Sequence, residues 1–155
     1  DVDSISIKDE IASLQLYLEL QQMRFKDLKF EIKHDSILNL ESIKIPTMLF
    51  QPYVENAILH GLSHSNKDKK LEIKFEWEAS NLLTATIWDN GIGRIKSAEL
   101  NQLNTSKPKS FATKANLERI MLLNKDQYQI DVNYEDLYDE HSEGCGTKVT
   151  IKIKL

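Results

Sequence analysis

The chemistry in this chain is concentrated in two short runs of residues. The first is Asp89-Asn90-Gly91-Ile92-Gly93, at the end of an apolar, alternating stretch. A carboxylate there can accept a hydrogen bond from an exocyclic amine, and flanking glycines let a flat base lie close to the backbone. The same residues also make ordinary turns. The second run is Gln51-Pro52-Tyr53-Val54-Glu55-Asn56-Ala57-Ile58-Leu59-His60-Gly61. Asn56 and His60 are four residues apart, which on a helix places them on one face, with Gln51 or Pro52 about one turn earlier. Polar groups on a core helix are costly unless they meet water, a partner or a ligand. Bonding to neighbouring backbone would satisfy them equally well.

The elements that must position these groups follow from periodicity. Residues 6–25 read as an amphipathic helix, with Ser6 and Asp9 resembling a capping box and Ile11, Leu14, Leu18 and Phe25 at near-helical spacing. Leu28 to Lys33 alternates as a half-buried strand. A long helix is expected from Pro46 to about Leu62, with Met48, Leu49, Tyr53, Ala57 and Ile58 as its apolar stripe. Leu71 to Trp77 and Leu83 to Ile87 read as a hairpin that ends in the Asp89 run. Ile95 to Leu103 is a short helix and Asn104 to Phe111 a loop. Thr113 to Lys125 is a helix burying Leu117, Ile120, Met121 and Leu123, and Tyr128 to Tyr134 and Lys148 to Leu155 are strands. Glu135 to Thr147 reads as the acidic connection between them. Strands and helices mix without strict alternation, so the expected class is α+β: a two-layer sandwich of a mixed sheet with about three helices on one face.

In this order and spacing the two runs become specific. Ile45-Pro46-Thr47-Met48-Leu49-Phe50 leading into the Gln51–Gly61 run, followed by Asp89–Gly93, resembles the ATP-binding domain of bacterial sensor histidine kinases. The subgroup it looks like is the LytS/YehU-like one, within the wider GHKL superfamily of ATPases and kinases. The leading helix, with Glu10-Ile11, Tyr17-Leu18 and Met23-Arg24-Phe25, and the closing Gly144-Cys145-Gly146-Thr147-Lys148-Val149 fit the same pattern.

The resemblance implies one domain over residues 1–155, with a leading helix in 1–25 and an ATP lid in 104–113. It implies ATP and Mg²⁺ as ligands. Asn56 matches the residue whose amide oxygen helps hold Mg²⁺. Asp89 matches the carboxylate that reads adenine, assisted through water by Thr147. Gly91 and Gly93 match the glycines beside the base, Gly144 and Gly146 a later glycine box, and His60 a pocket position facing the phosphates. In the lid, Ala112 stands at the expected glycine position, while Lys109 and Ser110 with the amides of the next helix can bind phosphate. His60 does not match the phosphorylated histidine. In the family that residue lies in an upstream helical hairpin within an Asn-Pro-His-Phe-like motif, which residues 1–155 lack.

The implied activity is donation of the γ-phosphoryl group of Mg-ATP to a histidine on a separate dimerisation domain of the same protein, in two-component signalling. The implied partners are that domain and a response regulator of LytTR type, with a homodimeric parent at the inner membrane and this domain in the cytoplasm. Two alternatives stand beside it. A self-contained ATPase of this superfamily places a water-activating Glu one turn before the metal-binding Asn. Pro52 occupies that position here, and Glu55 is rotated about 100° around the helix, which leaves it a candidate for orienting only. An interaction module that has lost nucleotide affinity is the other, prompted by Ala112.

Composition sets the outer bounds. The chain has 155 residues, enough for one domain, with 41% hydrophobic and 28% charged residues. A net charge of −4 offers no global basic field for nucleic acid. The single cysteine, Cys145, cannot form an internal disulfide and reads as a core or loop residue. His34, His64 and His141 fall in expected turns or loops. No apolar run approaches the roughly 18–20 residues of a membrane span, and the acidic start without Met is expected of a piece of a longer protein.

Overall fold

The computed structural model describes residues 3–103 and 111–155, with side chains for 3–100 and 114–155. In chain order the elements are β1 (Ser4–Ser6), α1 (Ile7–Arg24), β2 (Lys29–His34), β3 (Lys44–Pro46) and α2 (Gln51–Asn56). α2 runs on into a π-helical turn, Ala57–Leu62. Then come β4 (Lys70–Ala79), β5 (Leu82–Asp89), α3 (Arg94–Leu103), α4 (Phe111–Asp126), β6 (Gln129–Tyr138) and β7 (Gly144–Lys154).

Five strands form one mixed sheet in the order β2-β4-β5-β7-β6. β2 pairs parallel with β4 and all other pairs are antiparallel. Alternation does the sorting that the pleat requires. Leu71, Ile73 and Phe75 of β4, Leu83, Ala85 and Ile87 of β5, and Val149, Ile151 and Ile153 of β7 point into one core. The intervening Lys74, Lys148 and Glu78 face solvent, and Lys152 Nζ bridges to Glu78 at 2.9 Å. The covering layer supplies Ile7, Leu14 and Leu18 from α1, Tyr53, Val54, Ile58 and Leu62 from α2 and its π turn, and Ile120 and Leu123 from α4. Phe50 meets Phe75 edge to face at 5.2 Å between ring centres, joining the two layers. Among the described residues no helix is long and apolar enough to cross a membrane.

Several expectations hold. Ser6 Oγ caps α1 by accepting from Asp9 N at 3.1 Å, and the β4–β5 hairpin is present. Three are corrected. Pro46 does not begin a helix: it ends β3, which pairs with β1 through Ser4↔Pro46. The helix starts at Gln51, with Pro52 in its first turn, where a missing N–H costs nothing. In α4, Leu117 and Met121 are 62% and 58% exposed, and only Ile120 and Leu123 are buried. The β6–β7 connection is far shorter than expected, because β6 extends to Tyr138 and β7 begins at Gly144. Gly144 and Gly146 therefore lie in a strand. The predicted loop at 104–110 lies outside the described residues, and its expected last residues, from Phe111, are helical.

Candidate functional site

Asp89 is the last residue of β5 and points inward, in a row with Leu71 on β4 and Thr147 on β7. Directly paired residues on one face of antiparallel strands sit within roughly 4.5–5.5 Å between Cβ atoms. Thr147, itself buried, is thus the immediate side-chain neighbour of Asp89.

The Asp89 carboxyl is 3% exposed. Burial pushes its pKa up to about 7, against the opposing effect of the Gly91 N–H, which donates to Oδ1 at 2.9 Å. A buried acid with so little compensation, at the open end of a strand beside glycines, is a candidate ligand-reading group.

Glycines make room for it. A Cβ on Gly61 would stand 2.7 Å from Asp89 Oδ1. One on Gly91 would stand 2.3 Å from the Gly61 carbonyl carbon, and Ile92 N donates to Gly61 O at 3.1 Å. Gly146 has φ +144°, and a Cβ there would lie 2.1 Å from Asp89 O. Gly61 therefore meets the carboxylate itself, Gly91 packs on Gly61 and Gly146 packs on the Asp89 main chain, and none of the three can carry a side chain at its point of contact. The π turn brings Gly61 there: its extra residue is marked by Ser63 N donating to Ile58 O at 2.9 Å. Such turns recur at functional sites.

The other expected residues are placed as follows. Asn56 ends α2 and His60 lies on the π turn, both half-buried. Glu55 is half-buried and its Oε1 accepts from Gln51 Nε2 at 3.2 Å. Its charge also lies close enough to Tyr17 to help raise that phenol, after burial. Gly93, Gly144 and Gly146 line a cleft of about 200 Å³ between α3 and the β6–β7 turn, together with Arg94 and Asp136. This is below the roughly 300–1,000 Å³ of typical ligand pockets, and Asp89, Asn56 and His60 are not among its walls. The cleft flanks the site and does not define it. Arg94 is already engaged there, bidentate to Asp136 at 2.8 and 2.8 Å and 4.5 Å above the Tyr134 ring. Lys109 and Ser110 lie outside the described residues.

Asn90, between the two reading positions, is structural. Its side chain accepts from Lys70 N and donates to Asp68 O, both at 2.8 Å, locking the end of β5 to the start of β4. Gly61 is the residue to which sequence reasoning assigned no role. A glycine inside a helical run costs about 1 kcal/mol relative to alanine and so asks for a reason, which was the available signal.

No protein-family model matches the chain. Sequence comparison finds "Sensor protein LytS" of Staphylococcus haemolyticus, 33% identical over 91 residues, spanning 59% of this chain and 15% of that protein. The LytS sensor of Staphylococcus saprophyticus is 29% identical over 154 residues, spanning 97% of this chain and 24% of that protein. Among solved structures, the catalytic domain of histidine kinase ThkA superposes with TM-score 0.61 at 12% identity, covering 99% of this chain and 95% of that one. The chain has the fold of a histidine-kinase catalytic domain and is related in sequence to the LytS sensors. The kinase ThkA in complex with the response regulator TrrA also matches, with TM-score 0.55 at 11% identity over 99% of this chain and 41% of that one. These structural likenesses establish the fold of the domain. The chain spans 15% and 24% of the length of the two LytS relatives.

Proposed function

We propose that this catalytic domain binds Mg-ATP and presents the γ-phosphoryl group to a histidine on another domain of the same protein, as one half of a two-component sensor kinase. The observation that carries this reading is the buried Asp89 carboxyl, held by Gly91 and walled by glycine backbone, at the sheet end of a histidine-kinase-type fold. The donor set fits a purine. An exocyclic amine would donate to the carboxylate, Thr147 would share a bridging water, and the flat ring would lie against the glycine backbone. Desolvation strengthens each of these bonds.

Asn56 would contribute its amide oxygen to Mg²⁺, and His60 would face the phosphates from the π turn. Mg²⁺ keeps several waters and takes few protein ligands alongside substrate phosphates. When bound, it neutralises charge on the phosphates. Transfer then consists of imidazole nitrogen attack on the γ-phosphorus with departure of ADP, a step governed by positioning and electrostatics. Glu55, tied to Gln51, is not set as a general base, and Pro52 supplies none, which favours transfer over hydrolysis. Lys109 and Ser110 are proposed phosphate contacts. The partners in this reading are the domain carrying the acceptor histidine and a response regulator. The LytTR type of that regulator, a homodimeric parent and its membrane association extend the reading further.

Isothermal titration with ATP and Mg²⁺ tests it. Saturable binding that is lost in Asp89→Asn supports the assignment. Absence of binding at millimolar nucleotide refutes it, and steady-state hydrolysis by the chain alone would replace transfer with an ATPase activity.

A further inference from the structure

The turn that leads into α2 is held from outside, by one acidic and one basic side chain. α2 has no side-chain cap: Phe50 occupies the capping position and offers no hydrogen bond of that kind. The preceding Met48 has φ +61°, a left-handed conformation that an unbranched non-glycine residue adopts only when its surroundings impose it. Two elements impose it here. From α4, Arg119 donates through Nη1 to Met48 O at 2.6 Å and through Nη2 to Thr47 O. From α1, the Glu10 carboxyl, 1% exposed, lies against the same turn, where the nearby amides of Leu49 and Met48 oppose the effect of burial on its pKa.

Arg119 also lies close enough to Glu10 and Tyr53 for its charge to act on both. Glu10 Oε2 is buried without a hydrogen-bond partner among the described residues, so Glu10 is not a comfortable core residue. Burial holds its pKa up at about 7. Arg119 spends a rigid guanidinium fork on two successive carbonyls, the geometry for which Arg and not Lys is suited. The turn so gripped sets where α2 begins, and α2 is only six residues long before it passes into the π turn. Such a short helix cannot orient itself through its own hydrogen bonds. Asn56 is its last residue.

We propose that Arg119 and Glu10 are positioning residues that fix α2 through its lead-in turn, so that they set metal-dependent nucleotide binding at Asn56 and leave adenine reading at Asp89 untouched. The proposal rests on the nucleotide reading given above. The separation follows from the contacts. Asp89 is held by β5, Gly91 and Gly146, and its carboxylate meets the helical run at Gly61, near the end of the π turn and away from the 47–49 turn.

The test compares Arg119→Gln and Arg119→Lys with the parent protein. Titrations use adenosine without metal and ATP with Mg²⁺, and thermal unfolding is followed in parallel. In Arg119→Gln the affinity for Mg-ATP falls about tenfold while that for adenosine holds within twofold, and Arg119→Lys recovers part of the loss. Equal loss for both ligands, or loss for neither, overturns the proposal. Hydrogen exchange of the 51–57 amides gives a readout independent of nucleotide. In Arg119→Gln it accelerates there and stays constant in β5, and unchanged exchange across 51–57 also overturns the proposal. A parent protein that binds neither ligand refutes the nucleotide reading, while the exchange arm still decides the coupling.

Discussion

Nucleotide affinity should depend on pH through one residue, Asp89. Its carboxyl is buried and its pKa is pushed up to about 7 by desolvation, so the free domain carries a proton there under mildly acidic conditions. An amine donor aimed at the carboxylate stabilises the ionised form and lowers the pKa in the complex. Binding must then release up to one proton, and affinity rises with pH until the free carboxyl is itself ionised. Below about pH 7 the apparent Kd changes by close to tenfold per unit; at pH 5.5 binding should be about 30-fold weaker than at pH 8, or about 2 kcal/mol. Titration calorimetry of adenosine, which has no phosphate to titrate, at pH 6.5 in two buffers of different ionisation enthalpy measures the released protons directly. Repeating the titration from pH 5.5 to 8 gives the slope. In Asp89→Asn the remaining affinity should be low and flat across that range. Retained tight binding with no proton release and no pH slope in the parent protein would refute the assignment of Asp89 to the base.

Glu10 gives a stability counterpart. Its folded pKa of about 7 exceeds the ordinary 4.5 because of burial, so the native state binds more protons than the unfolded one between those values. Unfolding free energy therefore falls as pH rises from 4.5 to about 7, by up to about 3 kcal/mol. Asp89 adds a slope of the same sign, so Glu10→Gln should remove about half of the total in urea titrations at pH 5 and pH 7.5. Gly61→Ala should push Asp89 out of position, because the new methyl would sit 2.7 Å from Oδ1. The expected result is at least tenfold weaker nucleotide binding, with an overpacking cost of about 1–3 kcal/mol in denaturant unfolding. Phe50→Ala, at the edge-to-face contact with Phe75, should destabilise the domain by about 3–5 kcal/mol. A chemical-denaturation midpoint unchanged in that variant would show that the two layers are not joined there.

What could be read in the sequence was whatever had a strong period or a strict geometric demand. α1 carries both a cap and a regular apolar stripe, and the β4–β5 hairpin alternates over its whole length, so each was visible. Thr47 to Phe50 offers no period at all, and Pro46 fits a helix start as well as a strand end. The choice was made by tertiary contacts: pairing of Ser4 with Pro46, and the grip of Arg119, 72 residues away from Thr47. In α4 the run from Leu117 to Leu123 holds five apolar residues, more than one face can bury. Ile120 and Leu123 took the core because the sheet lies on their side. The Asp89 run was legible as chemistry, but Gly61 was not. Its role depends on a π turn that no local pattern announces.

The contacts around the site are of two kinds, joined by the π turn that carries Gly61. Asp89 is fixed by backbone: a strand end, a neighbouring strand and three glycine approaches that leave no tolerance for displacement. Asn56 is fixed by side chains reaching from α1 and α4 to a strained turn. Backbone contacts of the first kind shift only if the sheet distorts, since a closely packed interior resists small displacements. Contacts of the second kind depend on one guanidinium and one buried carboxyl, and they change whenever α1 or α4 moves relative to the other. On the proposed assignment, the base is read by the less deformable part of the site and the metal is held by the more adjustable part. On that assignment, tilting either helix should change Mg-ATP affinity more than adenosine affinity, and equal changes in both would refute the division.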